Sequence, residues 1–185
     1  IYSHISGDDL TKTPEIIGLS LLKLSPLLKK YNPDIVFVGF DRFDIFPLAI
    51  SASLMNFCIV HLEGGEVSGT YDDKIRHSIT KLSNYHLVST KEAKNNLIKM
   101  GENENTIFIT GCPRYNNLLK INELDEDNVL NKYNLKKKEF IILCYHPNSM
   151  EIQKSIDEFK IILNVLLKYS KKIIFIKPNI DYGNE

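Results

Sequence analysis

The sequence predicts an α/β fold built on parallel sheets. Three observations carry that expectation. Short, apolar, β-branched runs recur along the 185 residues and alternate with segments whose apolar residues repeat at helical spacing. Strands joined through helices pair in parallel, with right-handed crossovers. The chemically capable side chains collect just after the strands, where open parallel sheets bind their ligands.

Each element follows in order. Residues 1–12 are polar and read as a loop or an edge. Thr13-Pro14-Glu15 predicts a helix start: a hydroxyl cap, a proline in the first turn, then an acid near the positive dipole end. The leucine-rich stretch to Lys30 continues that helix, and Pro26 predicts a kink or two helical pieces. Strands are expected at 34–40, 57–62, 86–89, 106–110, 140–145 and 173–176. Helices are expected at 45–56, 72–83, 91–100 and 151–169, with Gly101 closing the third of these. Helices on both sheet faces would explain why the strands are so continuously apolar. Residues 121–138 break this rhythm with Asn, Asp, Glu and Lys, so they are assigned as a linker. It separates an N-terminal domain, 1–120, from the start of a second, 139–185.

Composition excludes several function classes. A hydrophobic fraction of 43% is enough for an ordinary core. Lys plus Arg and Asp plus Glu are both 23, so no net charge favours nucleic acid or an anionic membrane as a partner. Cys58, Cys112 and Cys144 are far apart and form no metal comb. That pattern fits a reducing, cytoplasmic setting. No apolar run approaches the roughly 20 residues that span a bilayer. The chain opens on Ile1 and stops soon after an apolar run, so a piece of a longer protein is expected.

The polar residues then form a map. Asp41-Arg42-Phe43-Asp44 follows the first strand, and His61, Glu63 and Gly64-Gly65-Glu66 close the second. His146-Pro147-Asn148 and Lys177-Pro178-Asn179 follow later strands. Asp41, Asp72 and Asp73 have a simpler alternative as helix caps. His61, His77 and His86 have one as structural histidines. Glu63 is harder to set aside, because an acid joined to an apolar strand must be paired or face a cleft. The glycines match neither the dinucleotide pattern nor the P-loop. A divalent-cation site from His61, Glu63, Asp72 and His77 lacks standard spacing, so no metal is expected.

The segment His61-Leu-Glu-Gly-Gly-Glu-Val-Ser-Gly-Thr-Tyr-Asp-Asp-Lys-Ile-Arg-His77 closely resembles the hydrolysing UDP-N-acetylglucosamine 2-epimerases of sialic acid synthesis. Pro33 to Asp44, Gly111-Cys-Pro-Arg-Tyr115, Tyr145-His-Pro147 and Pro178-Asn-Ile-Asp181 support the resemblance along nearly the whole chain. It implies two Rossmann-like domains in the glycosyltransferase-B arrangement, with a UDP-sugar substrate in the cleft. It implies elimination of UDP to a 2-acetamidoglucal, then addition of water with inversion at C2, and no cofactor or metal; the alternatives are a related hydrolysing 2-epimerase acting on a nucleotide-linked diacetamido-trideoxyhexose of the legionaminic acid pathway, or a non-catalytic nucleotide-sugar binding module. Asp41, Glu63 and Asp72 match the family's catalytic acids, while Arg42, His146 and Asn179 match positions that contact nucleotide or sugar. His61, Glu66, Asp73, Arg76 and His77 are assigned as supporting groups, and a homo-oligomer is expected. Family members carry a strand and loop before this region and most of a second domain after it. The 185-residue chain alone is therefore expected to be inactive.

Overall fold

Among the described residues six short strands form, each where the sequence concentrates Ile, Val, Leu and Phe. A computed structural model of the chain describes residues 12–119, 125–148, 151–169 and 171–177. It divides into two compact units, Ile1–Asn116 and Asn117–Glu185.

In the first unit, β1 (Ile35–Gly39), β2 (Cys58–Leu62), β3 (Tyr85–Val88) and β4 (Ile107–Ile109) pair in that order, all parallel. The helices between them are α2 (Phe46–Leu54), α3 (Asp72–Leu82) and α4 (Lys91–Lys99), after α1 (Lys12–Tyr31). Val36, Val38, Ala49, Ala52, Ile59, Ile75 and Ile79 form the main core. A smaller core gathers Val88, Ala93, Leu97 and Ile107 beneath α4. Thr90 caps α4, its hydroxyl accepting from the Ala93 N–H at 3.0 Å.

Three expectations are corrected. The first helix is already formed at Lys12, so Thr13 lies inside the first turn and does not cap it. Lys12 joins that turn by pairing with Glu15 at 3.2 Å. Pro26 does not divide the helix, which runs unbroken from Lys12 to Tyr31. The carbonyl that Pro26 cannot satisfy belongs to Leu22, which is exposed and open to water, and Ser25 Oγ donates to the Leu21 carbonyl beside it at 3.0 Å. Nor is every strand buried on both faces: in β1, Val36 and Val38 are buried but Ile35 and Phe37 are exposed.

The second unit holds β5 (Phe140–Cys144) and β6 (Lys172–Ile176) as a parallel pair, joined through α7 (Ile152–Leu166). Phe159 of α7 packs between Tyr145 and Phe175. Two short helices, α5 (Tyr115–Leu119) and α6 (Glu126–Lys132), precede this sheet. No helix among the described residues is long and apolar enough to cross a membrane.

Candidate active site

Parallel pairing of β1 with β2 sets Gly39 opposite Leu62. The next residues, Phe40 and Glu63, therefore leave neighbouring strands side by side. Both take left-handed backbone, φ 72° at Phe40 and 60° at Glu63, a conformation uncommon for residues with a side chain. Such strain persists where the surroundings fix it, and it concentrates at functional sites. Here the Phe40 N–H donates to the Leu62 carbonyl and the Glu63 N–H to the Leu87 carbonyl.

Asp41 follows Phe40 and does not cap α2, whose N-terminal residue, Ile45, makes no side-chain cap bond. Its carboxylate instead accepts from the Arg76 guanidinium, across from the first turns of α3. Arg76 is buried, and its Nη1 also donates to the Glu66 carbonyl at 2.7 Å and to Asp73. Asp73 is likewise no N-cap, because Tyr71 holds that place. It accepts from the Ser68 N–H at 2.9 Å, the Ser68 hydroxyl at 2.8 Å and the Gly69 N–H at 2.7 Å. Burial alone would raise the Asp73 pKa, but these donors and Arg76 outweigh it and hold the carboxyl at about 2. An acid so held is a poor proton carrier near neutrality. Asp73 therefore shapes the 66–73 loop. Asp72, exposed at the start of α3, lies within 3.5 Å of the Thr70 hydroxyl.

Glu63 is buried, and its Oε2 accepts from Arg114 Nη2 at 3.0 Å. The two glycines after it serve close approach. A Cβ on Gly64 would come within 2.8 Å of His61 Nδ1, and one on Gly65, at φ +84°, within 2.3 Å of the Ala93 carbonyl oxygen. Asn96 ties the Gly65 carbonyl down at 2.9 Å.

His61 is fully buried inside the sheet. Its Nε2 faces the Phe40 carbonyl at 3.4 Å and its Nδ1 the Thr80 hydroxyl at 3.2 Å. Burial, only partly opposed by the Phe40 carbonyl, lowers its pKa to about 4, so it is neutral at pH 7. His86 is its register partner on β3, edge-on at 6.4 Å, and is also fully buried with its pKa lowered by burial. His77 lines an open groove of about 520 Å³ with Phe46, Ile50 and Met100, and no described contact joins it to the acids. Arg42 lies 3.4 Å from Asp44 and over the Phe43 ring. In the second unit, the exposed His146 sits 3.4 Å from the Cys144 thiol. Ser155 of α7 accepts from the Asn148 N–H at 2.9 Å. Asn179 and the 178–181 motif lie outside the described residues.

The first unit thus brings together Asp41, Glu66, Asp73 and Arg76 in one network, with Glu63 on the adjoining strand end. Two participants were missed as site residues. Arg114 was visible within Gly111-Cys-Pro-Arg-Tyr115, but nothing local in that motif points to Glu63. Ser68 was visible only as a loop serine. Among the described residues, no group of three His, Cys, Asp or Glu is placed to hold a metal.

Comparison with known proteins decides the family. The profile Epimerase_2, described as UDP-N-acetylglucosamine 2-epimerase, matches residues 1–185. The chain belongs to the UDP-N-acetylglucosamine 2-epimerase family. It is 36% identical over 168 residues to a UDP-N,N'-diacetylbacillosamine 2-epimerase (hydrolyzing) of Legionella pneumophila, covering 90% of this chain and 45% of that protein. It is 33% identical over 170 residues to the UDP-N-acetylglucosamine 2-epimerase of Neisseria meningitidis, covering 92% of this chain and 45% of that protein. This family member therefore spans about half the length of the relatives it matches. The Neisseria meningitidis epimerase crystallised with UDP-GlcNAc superposes with a TM-score of 0.81 at 18% identity, covering 97% of this chain and 51% of that one. The Methanocaldococcus jannaschii epimerase in complex with UDP-GlcNAc and UDP superposes at 0.79 and 25% identity, covering 95% and 49%. The fold class expected from the sequence, α/β with parallel sheets in a glycosyltransferase-B-like family, is the one found.

Proposed function

We propose that the chain supplies the acid-bearing rim of a hydrolysing 2-epimerase, which converts UDP-GlcNAc and water into N-acetylmannosamine and UDP. One observation supports this above all. Asp41 and Glu63 leave adjacent parallel strands at the ligand-binding end of the sheet, and each carboxylate is held by an arginine.

The chemistry needs such groups. The hydrogen on C2 of the sugar is not acidic, so its removal is coupled to departure of UDP. A carboxylate takes the C2 proton, a double bond forms between C1 and C2, and the C1–O electron pair leaves with UDP. A second carboxylate stabilises positive charge building near C1. Water then adds its oxygen to C1, and a proton reaches C2 from the opposite face. Asp41, Glu63 and Asp72 carry these roles. Arg42, His146 and Asn179 bind the UDP-sugar, His61, Glu66, Asp73 and Arg76 keep the rim in place, and His77 supports α3 from the neighbouring groove beside Phe46 and Met100. The isolated 185-residue chain lacks turnover, because its relatives are about twice as long.

A second substrate is favoured by a specific observation: two relatives at 36% and 33% identity are named hydrolyzing diacetylbacillosamine 2-epimerases. The test supplies UDP-GlcNAc and UDP-N,N'-diacetylbacillosamine in turn to the full-length protein carrying this chain. Free 2-epimerised sugar plus UDP is the expected product, and relative turnover assigns the substrate. A 2-epimer still attached to UDP would contradict the hydrolysing mode.

A further inference from the structure

We propose that Arg114 is a positioning residue, which reaches from the loop after β4 to hold the Glu63 carboxylate and lies on the Phe40 ring, so fixing the direction from which that carboxylate meets the sugar. This rests on the reading above, in which Glu63 acts on substrate.

The placement supports the role. In the order β1-β2-β3-β4, the loop after β4 lies two strands away from β2. Gly111, at φ +76°, turns the chain there. The guanidinium then contacts Glu63 Oε2 at 3.0 Å and lies 5.1 Å from the centre of the Phe40 ring. It therefore bridges the two residues whose strained backbones open the rim.

The partners are unequal. The Glu63 side chain is 10% exposed and Arg114 is 71% exposed. An ion pair whose cation is this open to water contributes only modestly to stability. What it supplies is direction: the flat guanidinium can stack on an aromatic ring while donating in its own plane to a carboxylate. Lysine keeps the charge but loses that geometry. Misplacing a reacting group by an ångström can cost about 10²-fold in rate.

The experiment is a double-mutant cycle in the full-length protein, with UDP release as the readout. Arg114→Met is expected to lower kcat about 10²-fold with KM little changed. Arg114→Lys should recover only part of the loss, and millimolar guanidinium should restore part of it to Arg114→Met, because the site is open to solvent. In a Glu63→Gln background, Arg114→Met should cost nothing further. Melting temperatures of all variants verify folding. If Glu63→Gln lowers turnover but Arg114→Met does not, or if the two losses multiply, the positioning role is wrong and the Glu63 reading stands. If Glu63→Gln leaves turnover unchanged, both fail.

Discussion

Arg76 and Arg114 each hold a carboxylate at the same sheet edge, but in opposite surroundings. The Arg76 side chain is 7% exposed, and it joins Asp41 to Asp73 and the Glu66 carbonyl, so one guanidinium closes the loop before α3 onto the end of β1. Arg114 is 71% exposed and makes one contact to Glu63. A buried cation with several partners cannot be removed cheaply, because its partners are left charged and unpaired. An exposed one can move. The contrast separates two jobs at one site: Arg76 builds the rim, and Arg114 aims a single group on it.

Predictions follow the contrast from the largest effect to the smallest. Arg76→Met should cost about 3 kcal/mol of unfolding free energy, measured by urea titration, because Asp41 and Asp73 lose their shared cation. Acid should act next, through His61. Its pKa is lowered from 6.5 to about 4 on folding, so the unfolded chain binds a proton first as pH falls. Stability should be full above pH 6.5 and decline by roughly 2–3 kcal/mol by pH 4. His86, whose pKa is also lowered, adds to the slope in the same direction. Urea midpoints measured from pH 7 to 4 should flatten in a His61→Leu variant. Gly65→Ala should cost about 2 kcal/mol, because its Cβ would press on the Ala93 carbonyl at a left-handed φ. Arg114→Met should cost about 1 kcal/mol, well below Arg76→Met, because it strips one buried carboxylate of a cation that is itself open to water. A loss matching that of Arg76→Met would erase the distinction between the two arginines.

Much of this was legible in the sequence, for identifiable reasons. The strands announced themselves because each is a compact apolar run, and parallel pairing follows from the helices between them. Glu63 and its glycine pair stood out because a buried acid and two consecutive glycines both need explanation, and the structure explains both. The partnerships were not legible. Asp41 meets Arg76, 35 residues on, and Glu63 meets Arg114, 51 residues on, and no local pattern encodes such a meeting. Local rules leave capping open for Asp41 and Asp73 as an alternative, and it is not realised because Arg76 holds both carboxylates. Pro26 misled for a simpler reason: the carbonyl it frees belongs to a residue open to water.

The central claim is that the acids at the ends of β1 and β2, with Asp72, break a C2–H bond as UDP departs. Turnover of UDP-GlcNAc by the full-length protein in heavy water tests it most directly. One deuterium at C2 of the released N-acetylmannosamine, and its loss together with turnover in Asp41→Asn and Glu63→Gln, is the predicted result. Product that retains hydrogen at C2, or undiminished turnover in both variants, would contradict it.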